Sequence, residues 1–248
     1  MKKNLLIVSI IVFSLLLLDQ IIKIYIKSTF APGEAVNVLG DWFVLEYIEN
    51  QGMAFGTRFG SSMWGKLSLS LFRVVAIGGI IYYWFKQAKK GARLEFLIAL
   101  GLILTGATGN LIDSMFYDFI FPVDQYMDCR LDYNQLAGSG NFADCNYYGW
   151  EEQVELRHTG FLFGNVVDMF KFHAYWPEWV PYLGGSEVFP AIWNLADACI
   201  TVGVAMVFLR QRRYFPKEKK VAVETTTPSN DKSAHETDDT DGQDQASV

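Results

Sequence analysis

Histidine and cysteine are both scarce, with three of each in 248 residues. His158, His173 and His235 are scattered, so no cluster has the spacing of a metal site, and neither a bound metal nor a cofactor is expected. The chain also lacks an internal repeat and a glycine-rich phosphate loop, and no nucleic-acid partner is expected. The acids Asp124, Asp128, Asp132, Asp144, Glu151 and Glu152 match no EF-hand spacing and read as a solvated loop. Large apolar residues are nearly missing from the end of the chain, which makes 216–248 a disordered cytoplasmic tail. Of the cysteines, Cys199 sits in an apolar run and reads as a small packed residue. Cys129 and Cys145 share the acidic stretch and would form a disulfide in an oxidising compartment, free thiols being the alternative.

What is abundant is apolar. Hydrophobic residues make up 51% of the chain, a share that a greasy soluble protein also reaches, so their distribution decides the class. Four runs, Leu5–Ile26, Leu67–Phe85, Leu94–Met115 and Ala191–Leu209, are each long enough to cross a bilayer as a helix. The first follows Lys2 and Lys3, but it is too long for a signal-peptide core and no small-residue cleavage site closes it, so it reads as a retained helix.

The net charge of −6 hides a sorted pattern. Lys2 and Lys3 precede the first run, Lys86, Lys89, Lys90 and Arg93 fill the second loop, and Arg210, Arg212, Arg213, Lys217, Lys219 and Lys220 follow the fourth run. The other two loops are acidic. The positive-inside rule then puts both termini and the second loop in the cytoplasm and the acidic loops outside. Arg73, near the outer end of the second run, is expected to snorkel.

Between 28 and 66, Ala35–Gly40 and Trp42–Ile48 are rich in β-branched and aromatic residues, with turn signals at Gly33, Gly40-Asp41 and Asn50-Gln51-Gly52. A small antiparallel sheet on the outer face fits. The predicted architecture is a membrane α-helical domain over 1–215, with four transmembrane helices, the outer sheet at 28–66 and a polar outer insertion without clear period at 116–159.

Polar residues inside the apolar runs are the candidates for function. Asp197 lies near the start of the fourth run, where a carboxylate costs roughly 2.5–3.5 kcal/mol on insertion scales. Asn194, three residues earlier, falls on the same helical face, and Asn110 with Asp113 repeats the spacing on the third run. Asp168 sits in the apolar stretch Val166–Phe170. Asp19 and Lys23 have the i, i+4 spacing of an ion pair, or of a pair that merely neutralises itself at the interface while Lys23 snorkels. Two carboxylates in one poorly solvated site share a proton. The charged one then takes a proton from a water while the neutral one donates to a carbonyl oxygen. Intramembrane acids also mark proton relays, so a proton-coupled transporter is the rival reading; an inactive binding homologue is a third.

Five motifs occur in order: Leu18-Asp19-Gln20 with Lys23; Asn50-x-Gly52-x-Ala54-Phe55; Gly106-x-x-Gly109-Asn110-x-x-Asp113; Val166-Val167-Asp168; and Asn194-x-Ala196-Asp197 with Ile200 and Gly203. Together they resemble the lipoprotein signal peptidases (signal peptidase II) of bacteria over most of 5–213, leaving out the insertion and the tail. The resemblance implies four helices with an outer sheet, or cradle, and a catalytic pair at Asp168 and Asp197. It makes Asn50, Gly52, Asn110, Asp113, Asn194 and Ala196 residues that line or shape the site; Asp19 and Lys23 join them as supporting residues.

The implied substrate is a diacylglyceryl-modified prolipoprotein, cut before its lipidated cysteine. The implied setting is the bacterial cytoplasmic (inner) membrane, with the site near the outer face, contact with membrane lipid, and a monomeric enzyme. Two departures stand out: Ser114 follows Asp113 where the family usually has arginine, and the insertion separates Asp113 from Asp168 far more widely than is usual.

Overall fold

The computed structural model describes residues 2–31, 33–50, 63–121, 142–147, 150–155 and 160–215. In chain order its elements are α1 (Lys2–Thr29), β1 (Ala35–Leu39), β2 (Phe43–Asn50), α2 (Met63–Lys89), α3 (Leu94–Ile120), β3 (Phe142–Tyr147), β4 (Trp150–Glu155), β5 (Val166–Phe172), α4 (Leu195–Leu209) and α5 (Gln211–Tyr214). Among the described residues, three helices, α1, α2 and α3, are long and apolar enough to cross a membrane.

The fourth helix is shorter than its apolar run. It has 15 residues, about 22 Å of helix, because Ala191–Asn194 are not helical. Trp193 pairs instead with the edge of β5: its carbonyl accepts from Met169 N–H (3.1 Å) and Phe170 N–H (2.8 Å), and its own N–H donates to Phe170 O (3.0 Å). Asn194 then caps the helix. Its side chain accepts from Asp197 N–H, and the Asp197 side chain accepts from Asn194 N–H, a reciprocal capping box.

The sheet on one end of the bundle is antiparallel in the order β1-β2-β5. The expected strands β1 and β2 turn through Gly40 at φ 53°, a left-handed conformation that suits glycine. The third strand, β5, pairs with β2 so that Ile48 faces Asp168 and Asn50 faces Val166. The stretch that reads as an aperiodic insertion includes a hairpin, with β3 antiparallel to β4. Helix α3 runs on to Ile120, and Gly160 N–H, just after the insertion, donates to Asp118 Oδ2 at 2.9 Å, tying the chain back to α3.

At the centre lies α3, most of whose apolar stretch is buried, whereas α1 and α2 bury little of theirs. Small residues let neighbours reach it. A Cβ on Gly109 would come within 2.7 Å of Asp19 Oδ2 and 3.1 Å of the Ala196 methyl, so α1 and α4 both close on this glycine. One apolar cluster (Val8, Trp84, Phe96, Leu97) holds one end of the bundle, and another (Ile26, Phe30, Tyr47, Tyr117, Val167, Met169) joins the helices to the sheet. Large apolar side chains on the outer helix faces, among them Phe13, Phe72 and Val75, are exposed. That is the surface a lipid-facing helix presents.

Candidate active site

The bond pattern of Trp193 brings the start of α4 against Asp168 on β5. Asn194, fully buried, donates from Nδ2 to Asp168 Oδ1 at 2.6 Å. From α3, Asn110 donates to Asp197 Oδ1 at 2.9 Å, and its own Oδ1 accepts from Asn194 at 3.2 Å. The two acids are therefore bridged by a pair of amides from two helices. Asn50, at the end of β2, donates to the other oxygen of Asp168 at 3.1 Å. Asp197 occupies the third position of α4, where the helix N-terminus favours negative charge.

Asp168 is almost fully buried, and burial is the main reason its carboxyl is pushed up to about 7. The neighbouring negative charge of Asp197 adds to the rise; the amides of Asn50 and Asn194 and the Lys23 charge oppose it.

A second polar cluster adjoins the first and shares Asn110 with it. Lys23 Nζ lies 3.1 Å from Asp19, 2.7 Å from Asp113 and 2.9 Å from Asn110 Oδ1. Its side chain is fully buried, so it does not snorkel: three acceptors on α1 and α3 hold the ammonium inside the bundle. Asp19 accepts Ala196 N–H at 2.9 Å, which fixes the start of α4, and Asp113 accepts Val167 N–H at 3.4 Å, next to Asp168 in the chain. Gln20 bridges Asp19 and Asp113 at 3.1 and 3.0 Å and accepts from Tyr117 OH at 3.1 Å.

Of the residues singled out in the sequence, Asp168, Asp197, Asn50, Asn110 and Asn194 meet in the first cluster, and Asp19, Lys23, Asp113 and Ala196 in the second. Gly52 and Cys129 lie outside the described residues; Cys145 is in β3, opposite Glu152.

Other site neighbours are not among the site residues that the sequence offers. Lys66 donates to Asn165 Oδ1 at 2.6 Å, and Asn165 donates to Glu49 Oε2 at 2.7 Å, joining α2, the segment before β5 and β2. Glu49 also pairs with Lys27 and accepts from Tyr47 OH at 2.7 Å. Arg73 turns inward rather than to an interface, donating to Ser114 Oγ at 3.2 Å. Its i, i+3 and i, i+4 neighbours on α2 are apolar apart from Ser70, which is why the sequence alone gives it no inward partner.

A helical membrane fold with an end sheet and two amide-bridged carboxylates, Asp168 buried and Asp197 partly so, offers the paired acids that aspartic-type hydrolysis uses. Comparison with known proteins narrows the class. The family model for signal peptidase (SPase) II matches residues 11–212. A lipoprotein signal peptidase of Porphyromonas gingivalis is 38% identical over 209 residues, covering 82% of this chain and 81% of its own. One from Amoebophilus asiaticus is 32% identical over 219 residues, covering 84% and 80%. A solved structure described as a bacterial membrane enzyme, obtained by the in meso method at 1.9 Å resolution, superposes with a TM-score of 0.50 at 19% identity, over 85% of this chain and 93% of that one. It shares the fold. The chain belongs to the signal peptidase II family.

Proposed function

We propose that Asp168 and Asp197 are the catalytic pair with which this signal peptidase II removes the signal peptide from diacylglyceryl-modified prolipoproteins, cutting before the lipidated cysteine. The observation that carries the reading is the amide bridge from Asp168 through Asn194 and Asn110 to Asp197. It holds two carboxylates at fixed orientation with one of them, Asp168, pushed up to about 7. Near neutral pH such a pair carries one proton between its members and titrates as a unit.

The chemistry needs no side-chain nucleophile. A water between the carboxylates gives a proton to the charged member as its oxygen bonds to the scissile carbonyl carbon, and the neutral member gives its proton to the carbonyl oxygen. Collapse of the resulting diol breaks the carbon–nitrogen bond. The proton taken from water passes to the leaving amine, and a diol hydroxyl returns its proton to the other carboxylate as the carbonyl re-forms, so the pair ends with one proton as it began.

Asn50, Asn110 and Asn194 orient the carboxylates. Asp19, Lys23 and Asp113 fix the helix start and the strand that carry them, and Gly52, outside the described residues, keeps the site-shaping role that the resemblance implies. Exposed apolar helix faces suit lateral arrival of a lipidated precursor from the bilayer. In this reading the enzyme is a monomer in the bacterial cytoplasmic membrane, both termini are cytoplasmic, and the pair lies near the outer face beside the sheet. The 1–215 segment is the peptidase domain, 116–159 a substrate-limiting insertion with a Cys129–Cys145 disulfide, and 216–248 a tail outside the catalytic unit. Incubating the detergent-purified protein with a lipid-modified precursor tests the activity: a shortened product supports it, and an intact precursor contradicts it.

A further inference from the structure

Arg73 is a cation of this site that the catalytic scheme leaves unused. Its guanidinium reaches from α2 to α3 and donates to Ser114 Oγ at 3.2 Å. Ser114 is itself fixed: it is 2% exposed, donates to Asn110 O at 3.2 Å, and its carbonyl accepts Gly164 N–H at 2.9 Å. Arg73 is therefore held beside Asp113 and the segment leading to Asp168. Among the described residues no carboxylate lies within ion-pair distance of it. A hydrogen-bonded path nevertheless joins it to the pair: Ser114 donates to Asn110 O, and the Asn110 side chain donates to Asp197.

The charge balance of the site says what such a cation is for. Asp19 and Lys23 face it from α1, Asp113 from α3, Asp168 from β5 and Asp197 from α4, while nearby Lys66 on α2 donates to Asn165 and Lys27 on α1 pairs with Glu49 on β2. Lys23 is committed to Asp19 and Asp113, which outnumber it. Adding the charge of the aspartate pair leaves a surplus of negative charge in a poorly solvated place, where it favours proton uptake. An arginine stays protonated in such surroundings and supplies the missing positive charge.

We propose that Arg73 is a positioning residue of the reaction: anchored by Ser114, its charge holds the aspartate pair as a monoanion and biases that charge to Asp197, leaving the shared proton on Asp168. The α4 N-terminus acts on Asp197 in the same sense. This rests on the reading of Asp168 and Asp197 as the catalytic pair, and it makes Asp197 the member that accepts the proton from water. It also accounts for Ser114 beside Asp113: a small hydroxyl leaves room for, and an acceptor to, a guanidinium arriving from the neighbouring helix.

The test is the pH dependence of kcat/KM for the full-length enzyme on a lipid-modified precursor, with Arg73→Gln, Arg73→Lys and Ser114→Ala. Removing a positive charge makes the pair hold its protons more tightly, so Arg73→Gln is expected to move the acid limb upward by about one pH unit and to lower kcat more than it raises KM. Arg73→Lys, which keeps the charge, should restore the limb. Ser114→Ala should move it part of the way. An unmoved acid limb in Arg73→Gln overturns the proposal, as does a loss confined to KM or an equal shift in Arg73→Lys. Should Arg73→Gln fail to fold in a thermal scan, the limb of Ser114→Ala decides: displaced, it supports the proposal, and unmoved, it overturns it. Asp168→Asn and Asp197→Asn are measured alongside. Full activity in both removes the catalytic pair itself, whereas their inactivity with an unmoved Arg73→Gln limb overturns only the role of Arg73.

Discussion

Asn194 donates its side-chain amide to Asp168 at 2.6 Å while standing three residues before Asp197 as the cap of α4. One residue thus starts the helix that carries one acid and holds the other acid on a strand. Replacing it with alanine should cost stability and turnover together. The loss of the cap is worth about 1 kcal/mol, and turnover should fall at least tenfold because Asp168 loses its shortest restraint. Differential scanning fluorimetry and steady-state cleavage of the N194A protein check both.

Lys23→Met leaves Asp19 and Asp113 buried without their cation. Breaking a buried pair from one side costs on the order of 3–5 kcal/mol, and here both carboxylates also anchor backbone, at Ala196 and Val167. A clear drop in Tm accompanied by loss of cleavage is expected. A variant with unchanged Tm would show that the cluster is not structural.

The pH dependence follows from Asp168. Its folded value of about 7 lies above the ordinary 3.8. A raised value contributes stability that is fully present below about 3.8 and is lost as pH rises through about 7. Asp168→Asn removes that loss, so its stability advantage over the parent should grow from pH 5 to pH 8, towards a limit on the order of 4 kcal/mol. Activity should fall above about pH 7, where the pair gives up its shared proton. Unfolding and cleavage measured across this range in the same detergent test both signs.

Gly109→Ala puts a methyl 2.7 Å from Asp19 Oδ2 and 3.1 Å from the Ala196 side chain. Two helices must give way, at a cost of roughly 1–3 kcal/mol, and the bond from Ala196 N–H to Asp19 lies at the point of contact. Lower Tm with reduced kcat is expected. Cleavage and fluorimetry of G109A read it directly.

Much of this site is written in helical spacing. Asp19 with Lys23 and Asn110 with Asp113 are recognisable because i, i+4 and i, i+3 neighbours share a helix face. The two strands around Gly40 are legible because turn and strand preferences are local. Long-range pairing is not. Strand β5 finds its partner more than a hundred residues away, Asp168 opposite Ile48, and nothing in Val166–Phe172 announces that neighbour. Pairing at Trp193 likewise delays α4 to Leu195, although Ala191–Asn194 continue the apolar run. The inward course of Lys23 and Arg73 depends on acceptors supplied by α3, which no single-helix pattern contains.

The most direct test of the catalytic pair is single-turnover cleavage of a lipid-modified precursor by Asp168→Asn and Asp197→Asn, each shown by its melting curve to be folded. Asparagine keeps the shape and most of the hydrogen bonds of each carboxylate but can neither take the proton from water nor share one. Loss of product by at least a thousandfold in both variants is the predicted result. Substantial cleavage by either folded variant would contradict the assignment of that residue to the reaction.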